Sequence, residues 1–266
     1  MGVLKLKYKP VVTTDKGGEK SNFNSLSLAD FERFNPSILG LGDISKDGST
    51  VNALAAIFDL EGFTSFCNQM EPHLVIPEFL SRFLDWIFGE ISKHFTEGRT
   101  EELVRVWGSL PFFAKFMGDG ILFLWDTDYS VGLSGISNIV AALMFVRDSY
   151  VSEFLPSIKG KFVRPPEKLR CGIARGQIIS IGNGNDFIGP CINMASRLQN
   201  IGEISFAFSR RGFNPDASFG GKGSWRKHFV LKRIDIRGLG EDELIFVDRK
   251  EFENLSSESK ERFKEP

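Results

Sequence analysis

The chain of 266 residues contains few cysteines and has almost no net charge, and each of these two features excludes a class of protein. Its three cysteines, Cys67, Cys171 and Cys191, are too few for a disulfide framework in a chain of this length and are typical of a reducing compartment. A formal net charge of −1 provides no general attraction to nucleic acid or to an anionic membrane. A polyanionic ligand would therefore have to be held by local charges or by a metal ion.

Long apolar runs are also missing. The run IVAALMFV at 139–146 is far shorter than the roughly 20 residues of a membrane span. The basic start, MGVLKLKYKP, is not followed by an apolar segment of the kind that a secretory signal contains. Leu6 stands where a myristoylation motif has Ser or Thr. We therefore expect a cytoplasmic protein without direct membrane insertion.

What the chain has in excess is phenylalanine, with 26 Phe against 3 Tyr and 4 Trp. This composition predicts an aromatic-rich core and is also compatible with a pocket narrowed by aromatic rings.

The pattern along the chain predicts a polar N-terminal extension at 1–50, a main domain at 51–249 and a charged C-terminal tail at 250–266 that forms a frayed helix. Loops are expected at 13–22 and 42–50 and a polar linker at 96–109. Periodicity predicts a strand at 51–60, a helix beginning at Pro77 and ending at 95, a hairpin at 113–125, a helix at 134–155, two short strands around an Arg–Gly turn at 168–182, a short helix at 187–201 and a closing hairpin at 228–249. This order predicts an α+β sandwich of the ferredoxin-like βαββαβ kind, with helices packed on a mixed, mainly antiparallel sheet.

The first candidate motif is FDLEGFTSF at 58–66, where Asp59 ends a buried strand and Gly62 follows shortly after. A carboxylate at a strand end, beside a glycine that lets backbone amides approach a ligand, suits a cation and phosphate site. The alternative is that Asp59 only caps a helix N-terminus.

The second motif is FAKFMGDGILFLW at 113–125, in which Asp119 lies at the turn of a predicted hairpin. Gly and Asp are common turn residues, so turn chemistry alone could explain it. If the strands are adjacent, however, Asp59 and Asp119 lie side by side. Two such carboxylates repel each other unless they share a proton or bind cations, and two divalent ions would fit.

The third motif is NDFIGPCINMASRLQ at 185–199, where Asn193 and Arg197 share one face of a predicted helix. An arginine there could bind a phosphate, and the asparagine amide could hold a sugar oxygen. The alternative is an ordinary solvated helix face.

In this order and at these separations, FDLEGFTSF, KFMGDG and DFIGPCINMASRL resemble the catalytic domain of class III nucleotidyl cyclases. The resemblance covers roughly 51–249 and includes LRCGIARG at 169–176 and IDIRGLGE at 234–241. It implies a homodimer with two composite active sites, each drawing residues from both chains. It also implies a nucleoside triphosphate substrate and two divalent cations per site, Mn²⁺ or Mg²⁺.

By this resemblance, Asp59, Asp119 and the Leu60 carbonyl bind the two metal ions. The backbone around Phe63 and Thr64 cradles the phosphates. The ribose 3′-hydroxyl attacks the phosphoryl group, and pyrophosphate leaves.

Further roles fall to residues of the partner chain. The resemblance implies that Lys115 and Asp186 bind the base edge, that Asn193 positions the ribose and that Arg197 stabilises the developing charge. Two further arginines are implied as basic phosphate contacts, Arg237 first and Arg170 second.

The base preference is a separate question, because Lys115 and Asp186 are the family's usual adenine-binding pair. Physically, a donor–acceptor pair can bind adenine, cytosine or uracil. The chain departs from the purine pattern at Phe58, at 174–176, and in the aromatic stretch before Lys115, which contains Trp107, Phe112 and Phe113. The alternative is that these aromatics are core residues, and an alternating strand predicts this for Phe58.

Overall the chain most resembles the pyrimidine cyclases of bacterial Pycsar antiphage defence, which make cyclic UMP or cyclic CMP, with UTP the preferred substrate here. That resemblance implies a separately encoded effector that binds the cyclic nucleotide. The alternatives are an adenylate cyclase, a catalytically dead nucleotide-binding regulatory domain and a metal-dependent polymerase-like enzyme; guanylate cyclase fits less well.

Overall fold

A computed structural model describes residues 4–14, 17–69, 71–128, 132–213, 216 and 223–266. The chain divides into two compact units, the first comprising 1–50 and 179–188 and the second 51–178 and 189–266. In the described part of the chain, no helix is both long and apolar enough to cross a bilayer.

The strands and helices follow in this order: β1 Lys9–Thr14, β2 Lys20–Ser25, α1 Leu28–Glu32, β3 Thr50–Glu61, α2 Phe63–Cys67, α3 Pro72–Phe95, β4 Thr96–Arg99, β5 Val104–Val106, β6 Phe113–Phe116, β7 Gly120–Asp126, α4 Gly132–Ser149, α5 Leu155–Ser157, β8 Lys168–Ile181, β9 Asp186–Ile188, α6 Pro190–Leu198, β10 Phe206–Ser209, β11 Phe229–Ile236, β12 Gly240–Asp248, α7 Arg249–Asn254 and α8 Ser257–Lys260. A π-helix, Tyr150–Phe154, joins α4 to α5.

The main sheet has the strand order β11-β12-β10-β8-β3-β7-β6. Strands β8 and β10 run parallel, whereas β3–β7, β6–β7, β10–β12 and β11–β12 are antiparallel. The succession β3, α3, β6, β7, α4, β8 is the expected βαββαβ order. The prediction of an α+β fold with helices on a mainly antiparallel mixed sheet is therefore confirmed.

Strand β3 separates the two faces of this sheet. Leu54, Ala56, Phe58 and Leu60 belong to the main hydrophobic core, which also contains the buried side chains of α3 and α4. Successive side chains of a strand point to opposite faces, so Asp59 points away from that core.

Helix α6 packs on the face of the sheet to which Asp59 points. Gly172 of β8 lies on that face and contacts the helix. A Cβ atom at Gly172 would lie 2.2 Å from the carbonyl oxygen of Ala195 and 2.3 Å from the amide nitrogen of Gln199. Its neighbour Cys171 belongs to the core on the other face. The absence of a side chain at Gly172 thus allows the helix backbone to lie directly on the strand.

The C-terminal residues pack within the second unit, which corrects the prediction of a frayed tail. Leu255 and Phe263 are buried, and α7 and α8 are separate short helices. Arg147 of α4 is 8% exposed and donates hydrogen bonds to Asp248 at 2.6 Å and to Glu251 at 3.0 Å. This buried ion cluster fixes the start of α7, because a buried arginine needs such partners.

Two boundaries of the second unit also differ from the predictions. Helix α3 begins at Pro72, so Pro77 lies inside it. Pro72 occupies the first turn, where the missing N–H is harmless, and the buried face of the long helix outweighs the hydrogen bond lost at Pro77. The predicted linker at 96–109 contains the hairpin β4–β5.

Two further predictions fail because strand pairing decided them. Residues 168–181 form one continuous strand, β8, without the predicted Arg–Gly turn, since strand β10 on one side and β9 at its end keep it extended. In the first unit, the predicted loop at 13–22 overlaps the antiparallel pair β1–β2; residues 15–16 lie outside the described residues.

The contact at Gly172 gives a stability prediction. We expect Gly172→Ala to lower the free energy of unfolding by about 2–3 kcal/mol, because the new methyl group collides with helix backbone rather than with a movable side chain. Gly89→Ala is the control: Gly89 lies in α3, and a Cβ atom added there would have no other atom within 4 Å, so we expect a gain of about 0.5–1 kcal/mol. Urea unfolding measures both. Equal stability of Gly172→Ala and the parent would contradict the packing described.

Candidate active site

Strands β3 and β7 are adjacent, and they bring Asp59 and Asp119 together. Asp59 is paired with Gly120 in the antiparallel register. The amide of Leu60 donates a hydrogen bond to the carbonyl oxygen of Asp119 at 3.1 Å. Both carboxylates are half-buried. The backbone ladder thus fixes two acidic residues at one end of the sheet.

Two glycines make this turn possible. Gly118 has a φ of 96°, which favours glycine, and Met117 donates to the carbonyl oxygen of Gly120 at 2.8 Å across the turn. At Gly120, a Cβ atom would lie 2.7 Å from the carbonyl oxygen of Phe58. Turn chemistry explains the two glycines, but it places no requirement on an acidic residue between them.

The electrostatic environment makes the charge on Asp59 costly. Burial raises the pKa of Asp59 from 3.8 to about 6, and the negative charges of Asp119 and Glu61 contribute to the increase. The positive charge of Arg170 opposes it. In the protein without a cation, the two neighbouring carboxylates therefore destabilise each other.

Arg170 lies beside this site, and sequence analysis did not predict its ion-pair partner. Its guanidinium forms a two-point ion pair with Glu61, at 2.9 and 3.2 Å, and also donates to the side-chain oxygen of Asn200 at 3.3 Å. Sequence analysis proposed Arg170 as a phosphate contact. The acidic Glu61, two residues after Asp59, was the available signal for an ion pair, but no local pattern connects residues 109 positions apart.

The donor set fits a divalent cation. Carboxylate and backbone carbonyl oxygens are the ligands that Mg²⁺ and Mn²⁺ prefer. Asp59, Asp119 and the carbonyl of Leu60 supply such oxygens. Among the described residues there is no group of three or more His, Cys, Asp or Glu side chains that could hold a metal ion. A site of two carboxylates is of the kind that Mg²⁺ completes with water and substrate phosphates.

The segment after β3 exposes backbone amides. Gly62 has a φ of 82° and precedes the short helix α2. The side chain of Phe63 is buried against Phe66 and Phe79, whereas Thr64 is exposed. The first amides of a helix have no partner within it, so the backbone here, and not the Phe63 ring, is the group that could contact a phosphate.

Helix α6 presents Asn193 and Arg197 to solvent. Its buried face consists of Cys191, Met194, Ala195 and Leu198. Asn193 and Arg197 are both exposed on the opposite face. In the described part of the chain, neither side chain has a hydrogen bond or ion pair with Asp59 or Asp119.

The three other predicted residues lie in separate elements. Lys115 lies on the edge strand β6, paired with Leu122. Asp186 begins β9 in the first unit, and its Oδ1 accepts a hydrogen bond from the amide of Phe187 at 2.9 Å. Arg237 is exposed in the turn between β11 and β12. Strands β10 and β8 lie between β12 and β3, so the strand after Arg237 is roughly 14 Å from that of Asp59.

The aromatic residues near these motifs divide into two groups. Phe58 is fully buried and packs edge-to-face on Phe123, as an alternating strand predicts. Trp107 stacks on Phe95 at 4.6 Å and donates to the carbonyl of His94, so it is also a packing residue. Phe112, by contrast, is 45% exposed just before β6.

Comparison with solved structures yields several cyclases. The adenylyl cyclase CyaB from P. aeruginosa matches with a TM-score of 0.55 and 16% sequence identity, over 76% of this chain and 96% of that chain. The guanylyl cyclase Cya2 matches with a TM-score of 0.46 and 19% identity, over 76% and 93% of the two chains. The adenylate/guanylate cyclase/hydrolase from Silicibacter pomeroyi matches with a TM-score of 0.45 and 15% identity, over 75% and 97%.

No protein-family model matches the chain, and no curated protein matches it. Identities of this size show a common fold only, and CyaB is the one of these three whose TM-score exceeds 0.5. The chain thus has the fold of a nucleotidyl cyclase structure.

The raised pKa of Asp59 predicts a gain of stability when its charge is removed. Its folded pKa exceeds its ordinary value, so the protein without metal loses stability as pH rises from about 4 to about 6. The full shift corresponds to about 3 kcal/mol, and solvent screening of a half-buried carboxyl reduces this to about 1 kcal/mol. We expect Asp59→Asn, in chelator, to be more stable than the parent by that amount at pH 7.5 and equal to it at pH 4.

The same pair of proteins tests the cation site. Mn²⁺ should raise the melting temperature of the parent but not of Asp59→Asn. Asp85→Asn, at an exposed position on α3, serves as the control and should respond to Mn²⁺ like the parent. If Mn²⁺ does not raise the melting temperature of the parent protein, Asp59 is not a metal ligand.

Proposed function

We propose that the protein is a nucleotidyl cyclase that converts UTP, or CTP, to the 3′,5′-cyclic nucleotide and pyrophosphate. The observation that carries the proposal is the placement of Asp59, on β3, side by side with Asp119, in the turn just before β7. Polar residues matching the remaining parts of the class III cyclase pattern accompany them in this fold.

The reaction is an in-line phosphoryl transfer, which asks a protein mainly for positioning and charge neutralisation. Two divalent cations bound by Asp59, Asp119 and the Leu60 carbonyl would lower the pKa of the ribose 3′-hydroxyl and neutralise phosphate charge. The backbone amides at Phe63 and Thr64 would hold the triphosphate. No residue of the chain is assigned as a general base.

The remaining groups would come from a second copy of the chain. Arg197 would stabilise the charge that develops as pyrophosphate leaves, Asn193 would hold the ribose, and Arg237 would contact a phosphate. Lys115 and Asp186 would bind the base. The exposure of Asn193 and Arg197, and the absence among the described residues of a hydrogen bond or ion pair between them and Asp59 or Asp119, support a role across a dimer interface. A single chain would then be inactive.

The preference for a pyrimidine rests on the resemblance to Pycsar cyclases and on the aromatic residue Phe113, which shares one face of strand β6 with Lys115. In that role the product would be a second messenger in antiphage defence, detected by a separately encoded effector. The second candidate is an adenylate cyclase, which the Lys115–Asp186 pair favours. A catalytically dead nucleotide-binding domain is the candidate outside the enzymes.

A product assay with Mn²⁺ and each of UTP, CTP, ATP and GTP separates these candidates. We expect cyclic UMP as the main product and at least a thousandfold loss in Asp59→Ala, because both cations depend on that carboxylate. Cyclic AMP as the main product would assign the adenylate cyclase activity instead. Nucleotide binding without any product would identify a regulatory domain.

Complementation tests the composite site. Asp119→Asn and Arg197→Ala should each be inactive alone. In an equimolar mixture whose subunits exchange freely, half of the dimers contain both variants, and each of these has one intact site, so about a quarter of the parent activity should return. Mixing Asp119→Asn with Asp59→Ala is the control and should restore nothing. An inactive first mixture, with exchange verified, would place both residues in one chain's site.

A further inference from the structure

Glu61 is a third acidic residue at the end of β3 that carries Asp59. It is the last residue of the strand, two positions after Asp59. Side chains two positions apart on a strand point to the same face, so Glu61 shares the face on which the candidate cation site lies. The negative charge of Glu61 also contributes to the raised pKa of Asp59, so the two carboxylates are within electrostatic reach of each other. A free glutamate at this position would offer the site a third carboxylate.

Arg170 engages both oxygens of the Glu61 carboxylate. It lies on β8, which is next to β3 in the sheet. Its Nη2 is 2.9 Å from Oε1 of Glu61, and its Nε donates to Oε2 at 3.2 Å. A planar guanidinium matches a carboxylate in this two-point geometry. In the described part of the chain, no group of three or more His, Cys, Asp or Glu side chains is placed to hold a metal ion, so Glu61 does not join Asp59 and Asp119.

Arg170 is itself held by a second partner. Its Nη1 donates to the side-chain oxygen of Asn200 at 3.3 Å. Asn200 lies just after α6, whose backbone packs on Gly172. The side chain of Arg170 is 16% exposed, whereas that of Glu61 is 38% exposed. The arginine is thus the anchored member of the pair, and the glutamate is the member that would be free to turn towards Asp59 if the arginine were absent.

We propose that Arg170 sets the cation selectivity of the candidate active site by keeping Glu61 out of it. Mg²⁺ is bound by one or two carboxylates together with water and substrate phosphates, whereas Ca²⁺ takes about six to eight oxygen ligands in a flexible geometry. A site of two carboxylates therefore suits Mg²⁺, and a third carboxylate shifts the site towards Ca²⁺. Arg170 acts through Glu61 and is a positioning residue. The inference rests on the cation site of the proposed function.

This role differs from the phosphate contact that the family resemblance implies for Arg170. Its Nε, Nη1 and Nη2 atoms each already donate to Glu61 or Asn200 or lie in the ion pair. Its positive charge is balanced by the Glu61 carboxylate, so a phosphate would have to displace that carboxylate first. The two roles are distinguishable, because loss of a phosphate contact weakens nucleotide binding and leaves the cation selectivity unchanged.

Isothermal titration calorimetry of the full chain with Ca²⁺ and with Mg²⁺, without nucleotide, tests the inference. In Arg170→Gln, we expect the ratio of Ca²⁺ affinity to Mg²⁺ affinity to rise at least about tenfold above that of the parent, because the number of charged ligands tunes Ca²⁺ affinity. The ratio is the quantity to compare, since the loss of a nearby positive charge strengthens the binding of both cations. Glu61 is exposed enough to stay solvated without its partner, so the variant should fold.

Three further variants isolate the effect of Glu61. Arg170→Gln/Glu61→Gln has the net charge of the parent and lacks the third carboxylate, so its affinity ratio should return to the parent value. Glu61→Gln alone breaks the ion pair without freeing a carboxylate and should keep the parent ratio. Arg82→Gln removes an arginine from an exposed ion pair with Glu78 on α3 and is the matched control, which should also keep the parent ratio.

An unchanged affinity ratio in Arg170→Gln, or no Ca²⁺ binding to that variant, would overturn the inference. The same rise in the double variant or in Glu61→Gln would also overturn it, since the effect would not come from a freed carboxylate. A higher KM for the nucleotide in Arg170→Gln, with an unchanged ratio, would assign Arg170 to the phosphates instead. A product assay on the parent is independent of these results: absence of cyclic nucleotide would refute the proposed function and leave the cation affinities as measured.

Discussion

The site depends on one constraint: the backbone hydrogen bonds between β3 and β7 hold two acidic residues, Asp59 and Asp119, next to each other. The β3–β7 ladder pairs seven residues from Ala53 to Asp59 with Asp126 to Gly120, and the Leu60 amide extends it to the carbonyl of Asp119. The other face of β3 is packed into the core. Because the strand cannot shift without breaking this ladder and exposing core residues, the backbone positions that carry the two carboxylates stay next to each other. Their repulsion is relieved by protonation or by a cation.

This arrangement connects stability with the proposed activity. The repulsion between the two acidic side chains lowers the stability of the protein without a cation. A bound cation removes this repulsion, and the relief adds to the free energy of cation binding. Arg170 limits that cost by lowering the pKa of Asp59 and by holding Glu61 in an ion pair. The protein thus keeps two carboxylates available as ligands while a third acidic group is neutralised within the chain.

Helix α6 has one face packed on the sheet and an opposite face that carries polar groups. The apolar face packs inward over Gly172, and the polar face carries Asn193 and Arg197 into solvent. In the proposed dimer, that polar face would contribute Asn193 and Arg197 to the site of the partner chain.

Side-chain period and turn chemistry over a few residues were enough to predict the α+β pattern, the hairpin that presents Asp119, the shared helix face of Asn193 and Arg197 and the burial of Phe58. Sequence reasoning also indicated that Asp59 and Asp119 would lie side by side if their strands were adjacent, as they are. It missed the continuous strand β8, the β4–β5 hairpin and the ion pair of Arg170 with Glu61. Strand β8 and the ion pair depend on partners distant in the chain, and only the folded structure decides which distant groups meet and how deeply they are buried. The raised pKa of Asp59 could not be predicted from local sequence either, because burial and neighbouring charges arise from packing.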